Sequence, residues 1–159
     1  METKSVSRPP FRDTTLRCRD VMRRRVFVVP SESSVADAAR LMAQNGCGML
    51  PVVDTARRLV GVVTDRDIVV RACSRGQSPL EVRVETIMSR TPVCCRPSDS
   101  LAQAEELMLE KSKKRLVVTE GDEIAGILTL SDIAQVEQPL QLARLARELG
   151  AREIRLEHA

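Results

Sequence analysis

The stretch GVVTDRDI at residues 61–68 decides the fold, because it returns 65 residues later as GILTLSDI at residues 126–133. The similarity extends well beyond these eight residues. VM at 21–22 returns as IM at 87–88, VADAARLM at 35–42 as LAQAEELM at 101–108, and PVV at 51–53 as LVV at 116–118. A unit present twice, rather than three or more times, indicates two related structural units and not a solenoid.

Each copy has the same predicted order of elements: strand, helix, strand, strand, helix. The strands are short runs of β-branched residues, and the helices begin at capping residues such as Ser34 and Ser100. In the first copy we expect strands at 26–29, 49–53 and 59–64, with helices at 34–46 and 65–74. In the second we expect strands at 93–96, 115–119 and 123–129, with helices at 100–112 and 130–137. The sequence therefore predicts a mixed α/β (α+β) fold.

The predicted organisation has five parts: a flexible lead-in at 1–17, repeats at 18–74 and 84–137, a linker at 75–83, and a C-terminal helix and tail at 138–159. Repeats this small bury only about 60% of their surface alone, so we expect the two to share a core. In the C-terminal helix, Leu142, Leu145, Ala146 and Leu149 form one stripe before Gly150. This stripe packs either on its own domain or on a partner.

Composition narrows the class of protein. With 43% hydrophobic and 30% charged residues among 159, the chain is typical of a globular protein, and its net charge of +3 is too small to indicate a nucleic-acid partner. The sequence lacks the roughly 20-residue apolar run of a membrane span and an apolar secretory stretch, so we expect a cytoplasmic protein. Five cysteines without CxxC or zinc-site spacing indicate reduced thiols and no metal.

Catalysis is not expected. The only histidine is His158, next to the last residue, so no histidine-based triad or zinc-hydrolase site can be assembled on the repeats. No general base stands near Cys47, Cys73 or the Cys94-Cys95 pair in the sequence. The sequence therefore predicts a protein that is not an enzyme.

The motifs TDRD at 64–67 and TLSD at 129–132 allow two interpretations. Threonine followed three residues later by an acidic residue is a capping box, which would make Asp67 and Asp132 purely structural. Alternatively, a carboxylate beside a threonine hydroxyl at a strand end can accept hydrogen bonds from both hydroxyls of a ribose. Basic side chains at Arg66 and at 113–115 stand close enough in sequence to suit a nucleotide phosphate.

A purine in such a pocket could not stack on aromatic rings, because Phe11 and Phe27 are the only aromatic residues. It would lie against aliphatic side chains instead. Five such side chains are candidates for the pocket wall, although each could equally belong to the core: Val52, Val63, Val93, Val117 and Leu128.

The doubled VM or IM dipeptide, the prolines that close the first strands, LPVVD at 50–54 and the two octapeptides together resemble a tandem cystathionine β-synthase (CBS) domain pair, or Bateman module. The resemblance covers about residues 18–137. It implies two repeats about a pseudo-twofold axis, with clefts that hold AMP, ADP, ATP, S-adenosylmethionine, NAD or another adenosine compound, without an obligatory cofactor. It also implies a homodimer and a regulatory, energy-sensing role exerted on a separate effector protein.

By this resemblance the ribose and phosphate ligands would be Thr64 and Asp67 in one cleft, and Thr129 and Asp132 in the other. Further phosphate or base contacts would come from Arg66, Thr91, Val93, Lys114 and Arg115.

The repeats also differ, so the two clefts should not be equivalent. The second repeat carries Leu116 where the first has Pro51, and KSKKR where the first has NGCGM. In the alignment of the two repeats, Thr91-Pro92 of the second stands opposite Arg24-Arg25 of the first. Two alternatives remain open. The basic clusters at 23–25 and 111–115 could contact nucleic-acid phosphates, or the chain could serve only for dimerisation.

Overall fold

The computed structural model describes residues 16–137 and 139–157. All but two residues of the predicted lead-in therefore lie outside the described part. The first half contains α1 (Cys18–Val21), β1 (Val29–Pro30), α2 (Val35–Asn45), β2 (Met49–Val53), β3 (Leu59–Thr64) and α3 (Asp65–Asp67), which continues as a π turn (Ile68–Ala72) and a 3-10 turn (Cys73–Arg75). The second half contains α4 (Val84–Ile87), β4 (Cys94–Cys95), α5 (Leu101–Lys111), β5 (Arg115–Glu120), β6 (Glu123–Thr129), α6 (Leu130–Ile133) and α7 (Pro139–Glu157).

Each repeat forms its own three-stranded mixed sheet. In the first, β1 runs parallel to β2, and β2 runs antiparallel to β3. The second sheet has the same order and the same directions, with β4, β5 and β6. The predicted mixed fold of two repeats, each in the order strand, helix, strand, strand, helix, is confirmed.

The helix boundaries follow the capping residues. The Ser34 hydroxyl accepts a hydrogen bond from the Asp37 amide, and α2 ends at Gly46, whose φ of 59° is left-handed and easily adopted by glycine. At α5 the side chains of Ser100 and Gln103 form the predicted capping box. These local signals placed both helices correctly.

The first strand is shorter than predicted. Only Val29 and Pro30 pair with β2, opposite Val52 and Val53, while residues 26–28 lie outside the ladder. Proline has no amide hydrogen to donate, but it is tolerated here because β1 is the edge strand of its sheet. Phe27 instead lies under the Arg25 guanidinium, 5.2 Å from ring centroid to charge.

Two helices also differ from their predicted form. The segment predicted at 65–74 is helical but irregular, and only its first three residues are α-helical. The helix predicted at 130–137 ends at Ile133, because the next amides tighten into i to i+3 bonds, from Gln135 to the Asp132 carbonyl and from Val136 to that of Ile133. The short α1 and α4 were not predicted.

The two repeats share their buried residues, as expected, but in two clusters rather than in a single core. Each cluster lies on one sheet and is completed by the short helix at the start of the other repeat. Cys18 and Met22, at the start of the first repeat, belong to the core on the second sheet. Val84, Ile87 and Met88, at the start of the second repeat, belong to the core on the first sheet. This reciprocal exchange joins the two halves.

The C-terminal helix packs on its own domain. Leu145 and Leu149 are 2% and 1% exposed and lie in the second core, and α7 contacts α5. The Gln141 amide donates to the carboxylate of buried Glu105 on α5 at 3.2 Å. The helix also continues through Gly150 to Glu157. Of the two interpretations of the leucine stripe, the structure supports the intramolecular one.

Candidate functional site

Thr64 and Asp67 stand where β3 turns into α3, and they cap that helix. The Thr64 amide and hydroxyl donate to one carboxylate oxygen, Oδ2, at 2.9 and 2.7 Å, and the Asp67 amide donates back to the hydroxyl at 3.1 Å. The other oxygen, Oδ1, has only a contact of 3.4 Å with Nη1 of Arg71 within the described part of the chain. That arginine nitrogen makes a shorter bond, of 2.6 Å, to the Ile87 carbonyl.

Thr129 and Asp132 make the same capping box at the start of α6. The Thr129 amide and hydroxyl donate to Oδ2 of Asp132 at 3.0 and 2.6 Å. Here, however, Nε of Arg23 donates to Oδ1 at 2.7 Å, and the Asp132 side chain is only 7% exposed. The capping interpretation is therefore correct for both motifs, and any ligand interpretation depends on the second carboxylate oxygen.

A cleft with a volume of about 720 Å³ lies between the repeats. It brings together seven of the nine residues that the sequence singled out: Thr64, Arg66, Asp67, Thr91, Val93, Lys114 and Arg115. We call it the first cleft. Thr129 lines a different cleft, and Asp132 lines neither. The predicted ligand-binding residues are thus concentrated in the first cleft rather than divided equally between two clefts.

The wall of the first cleft is strongly basic. Six cationic side chains line it, against two acidic ones, Asp65 and Asp67. The cations are Arg66, Arg71, Lys111, Lys113, Lys114 and Arg115. Such a concentration of positive charge around a concave surface attracts anions, phosphates above all.

The second cleft is smaller, about 260 Å³, and it is built from the equivalent segments of the opposite repeats. Residues 45–48, with the sequence NGCG, stand where the first cleft has the basic residues 111–114. Arg23, Arg25 and Phe27 line the cleft from the segment that follows α1. The predicted inequivalence of the clefts thus has a structural basis in size and charge.

Only part of the predicted apolar wall lines a cleft. Val93 and Val117 do so, together with Met49 and Val62, which the sequence did not indicate. The other three candidates, Val52, Val63 and Leu128, have no exposed surface and belong to the two cores. Whether an aliphatic residue lines the cleft or belongs to a core depends on the face of the strand on which it lies. Both faces of these strands carry aliphatic residues, so the sequence did not separate the two roles.

Several cleft residues were missed at the level of sequence. Arg71 follows Asp67 by four residues on one helical segment, a spacing that could have indicated their contact. Ser89 and Arg23 each reach a cleft from the start of one repeat by pairing with a strand of the other, and no local pattern reveals this.

The thiols of Cys94 and Cys95 lie outside the first cleft and have pKa values above the ordinary value for a thiol. The hydrogen bond between Cys18 and Cys95 lowers the pKa of Cys18, but that side chain has no exposed surface. A hydrogen bond with the Cys18 thiol, reinforced by burial, raises the pKa of Cys95. Burial also raises the pKa of Cys94. Between residues 16 and 157, position 138 aside, the structure has no cluster of three or more metal-ligating side chains, and no described helix is long and apolar enough to cross a bilayer.

Comparison with known proteins agrees with this architecture. The CBS domain model matches the chain twice, at residues 18–72 and 84–138. The chain belongs to the CBS-domain family. The first cleft is thus a cleft between two CBS repeats, and the tandem pair that the octapeptides indicated is confirmed.

Among relatives of this CBS pair, the uncharacterized protein MK0525 of Methanopyrus kandleri is 30% identical over 131 residues, which cover 82% of this chain and 66% of that protein. This chain therefore spans slightly less than two thirds of that relative's length. A crystal structure of an uncharacterized conserved protein from Pyrococcus horikoshii has a TM-score of 0.72 and 29% identity, covering 78% of this chain and 93% of that one.

A further solved structure shares the fold. The CBS domain pair of protein MJ0100, solved in complex with 5′-methylthioadenosine and S-adenosyl-L-methionine, has a TM-score of 0.69 and 22% identity, covering 76% of this chain and 94% of that one. At this level of identity the likeness concerns the fold alone.

Proposed function

We propose that this CBS pair is a regulatory module that binds a phosphorylated adenosine compound in the first cleft. A single observation carries the proposal. Asp67 lines a cleft of about 720 Å³, and its Oδ1 has no contact shorter than 3.4 Å within the described residues. A carboxylate oxygen in this condition can accept a hydrogen bond from a ribose hydroxyl without breaking a strong existing bond.

The capping box helps to position this oxygen. Thr64 holds Oδ2 through two bonds of 2.9 and 2.7 Å, which orient the carboxylate and leave Oδ1 without a hydrogen bond to the described residues. Charge-assisted hydrogen bonds are worth roughly 1.5 to 3 kcal/mol. A bond of this kind from Oδ1 would account for much of the recognition of a sugar.

The basic wall supports a phosphorylated ligand over an uncharged or cationic one. Lys113 and Lys114 line the cleft beside Arg115, on the side contributed by the second repeat, while Arg66 lines it from the first. A ligand that contacts both repeats would hold them in one relative arrangement. We therefore expect AMP, ADP or ATP to bind more tightly than S-adenosylmethionine, whose sulfonium carries a positive charge.

The adenine ring would lie on the apolar part of the wall. Val62, Val93 and Val117 line the cleft with Met49, and backbone groups beside them can read the edge of a purine. The CBS pair solved with 5′-methylthioadenosine and S-adenosyl-L-methionine indicates that this fold can accommodate an adenosine moiety. For the present chain the proposal depends on its own residues.

The proposed role is regulatory and not catalytic. The pKa values of Cys94 and Cys95 are raised, which is the reverse of what an activated thiolate requires. A ligand that contacts both repeats stabilises one state by RT ln(1 + [L]/Kd), about 2.7 kcal/mol at a hundredfold excess over Kd. Competition of AMP, ADP and ATP for one cleft would make the module a sensor of cellular energy state.

A second copy of the chain and a separate effector protein complete the proposal. Exposed valines lie near the end of each repeat, with Val69 and Val70 of the π turn at 59% and 50% exposure in the first and Val136, just beyond α6, at 46% in the second. A twofold dimer could cover the patches of both repeats in one self-complementary interface. If so, Val69→Asp with Val70→Ser should yield a monomer in sedimentation analysis, whereas a dimer that persists would rule out this interface.

The test of the ligand is isothermal titration of the full chain with AMP, ADP, ATP, NAD and S-adenosylmethionine. Asp67→Asn should weaken binding of the preferred nucleotide by about 10- to 150-fold, because a charged hydrogen bond is lost. Asp122→Asn, a change at an exposed turn outside both clefts, serves as the matched control and should leave affinity unchanged. Equal affinity in the wild type and the Asp67 variant would refute the assignment.

The same titrations separate the two alternatives. Binding of RNA or DNA with a steep salt dependence, unaffected by Asp67→Asn, would favour a nucleic-acid role for the basic wall. Absence of any nucleotide binding, together with a stable dimer, would favour a purely structural role.

A further inference from the structure

Arg23 and Ser89 occupy equivalent positions in the two halves. The amide and carbonyl of Arg23 exchange bonds of 2.9 and 3.0 Å with Ile127 on β6, and those of Ser89 exchange bonds of 2.9 and 3.0 Å with Val62 on β3. Val62 and Ile127 are themselves equivalent, since each follows the glycine of its octapeptide. The two short antiparallel bridges are therefore copies of one another.

The side chains at these equivalent positions differ greatly in reach. Nε of Arg23 extends to Oδ1 of Asp132 and binds it at 2.7 Å. Ser89 lines the first cleft but ends one atom beyond its Cβ, and Oδ1 of Asp67 makes no hydrogen bond to it. The same carboxylate oxygen thus accepts a short hydrogen bond from Arg23 in one repeat, whereas in the other it has only the longer contact of 3.4 Å with Arg71 within the described residues.

From this difference we infer that Arg23 closes the second cleft to a ribose, so that the chain binds one nucleotide rather than two. This inference rests on the proposed function of the first cleft. Oδ2 of Asp132 already accepts two bonds from Thr129, and Oδ1 accepts the bond from Arg23, so the carboxylate has one acceptor site left for the two hydroxyls of a sugar diol. Arg23 is an intramolecular occupant of the site that the second repeat would otherwise offer.

The surroundings of Arg23 reinforce this closure. The Asp132 side chain is 7% exposed, so a ligand must displace the guanidinium before it can reach the carboxylate. The Arg23 side chain is 60% exposed, so water can solvate the guanidinium once it has left Asp132. Arg25 and Phe27 narrow the same cleft where the first has the smaller Thr91 and Val93.

Reciprocal exchange of the two residues tests the inference. Arg23→Ser gives the second cleft the residue of the first, and Ser89→Arg does the reverse. The measurement is the number of AMP molecules bound per chain in isothermal titration, with circular dichroism as the check on folding. We expect one AMP for the wild type, two for Arg23→Ser and none for Ser89→Arg at concentrations that saturate the wild type.

Arg25→Thr is the matched control, because it removes a cation from the same cleft while keeping the bond between Arg23 and Asp132; it should still bind one AMP. If Arg23→Ser does not fold, Arg23→Ala provides the same test with a different side chain. Two AMP molecules on the wild type, or one on both Arg23 variants, would overturn the inference.

The outcome also distinguishes this inference from the proposed function. A wild type that binds no AMP refutes the proposal for the first cleft. The closure by Arg23 then stands only if the Arg23→Ser variant gains a site, and it falls if that variant also binds nothing.

Discussion

Met88, near the start of the second repeat, lies directly against Gly61 in the first. A Cβ added to Gly61 would lie 2.8 Å from the Met88 sulfur and 2.7 Å from the Ser89 carbonyl oxygen. The same relationship holds between Met22 and Gly126, where the sulfur would be 2.7 Å away. The glycine of each octapeptide therefore leaves room for the chain segment that crosses from the other half.

The first prediction concerns this contact. Gly61→Ala should destabilise the fold by about 1 to 3 kcal/mol, because the backbone of Ser89 cannot yield to the new methyl group as a flexible side chain could. Urea denaturation measures the effect. Gly150→Ala is the control: apart from the backbone of α7 itself, no atom of the described side chains or segments lies within 4 Å of a Cβ at this position, so it should stabilise by about 0.5 to 1 kcal/mol. Equal stability of the two variants would contradict the close packing.

The C-terminal helix provides the second prediction. Leu149→Ala should lower the free energy of unfolding by about 2 to 5 kcal/mol, because a fully buried side chain leaves a cavity in the second core. Arg147→Ala, on the exposed face of the same helix, should change it by less than about 0.5 kcal/mol. Thermal melting of both variants measures the change in stability. A small effect of Leu149→Ala would mean that α7 is detached from the second core in solution.

The third prediction concerns the two capping aspartates. Asp67→Ala should destabilise by about 0.5 to 2 kcal/mol, the usual loss for a helix cap. Asp132→Ala should destabilise by about 1 kcal/mol more, since it also removes the bond with the half-exposed Arg23. A double-mutant cycle of Arg23→Ala and Asp132→Ala isolates the contribution of the bond between the two side chains. A coupling energy near zero would show that this ion pair contributes nothing to stability.

The fourth prediction separates the cysteines by their reactivity. Exposed Cys73 should react first with a thiol reagent at pH 8, while Cys18 and Cys95, both buried, should react only when the protein unfolds. The raised pKa of half-buried Cys94 means less thiolate at this pH, so its reaction rate should still be rising above pH 9. Mass spectrometry of partially labelled protein measures the order. Early labelling of Cys95 would contradict the packing of α1 on β4.

The fifth prediction concerns the basic wall of the first cleft. Lys113→Ala should weaken ATP binding more than AMP binding, by roughly three- to tenfold, because each additional phosphate meets the positive wall. The Lys113→Ala variant should also show a weaker dependence of ATP affinity on salt concentration. Arg40→Ala, which removes an exposed cation outside both clefts, provides the comparison. An equal loss for both nucleotides would contradict a contact between Lys113 and the additional phosphates of ATP.

Most of the fold could be predicted, because its signals are local. The caps at Ser34 and Ser100 and the left-handed Gly46 act within one helical turn, so they can be recognised in any sequence. The first strand was overestimated for the opposite reason: β-branched residues favour a strand at 26–29, yet pairing depends on how far the neighbouring strand extends. The short helices α1 and α4 were missed because their stability comes from cores built by the other repeat.

The sequence by itself determined that the protein is a duplicated CBS unit and that Thr64, Asp67, Thr129 and Asp132 occupy matching positions. Only the tertiary structure decided that these positions differ in chemistry. Seven predicted residues meet in one basic cleft, while Arg23, 109 residues away in the chain, occupies the carboxylate of Asp132. The physical reason is that a repeat fixes local backbone geometry, whereas access to a carboxylate depends on side chains that arrive from the other half.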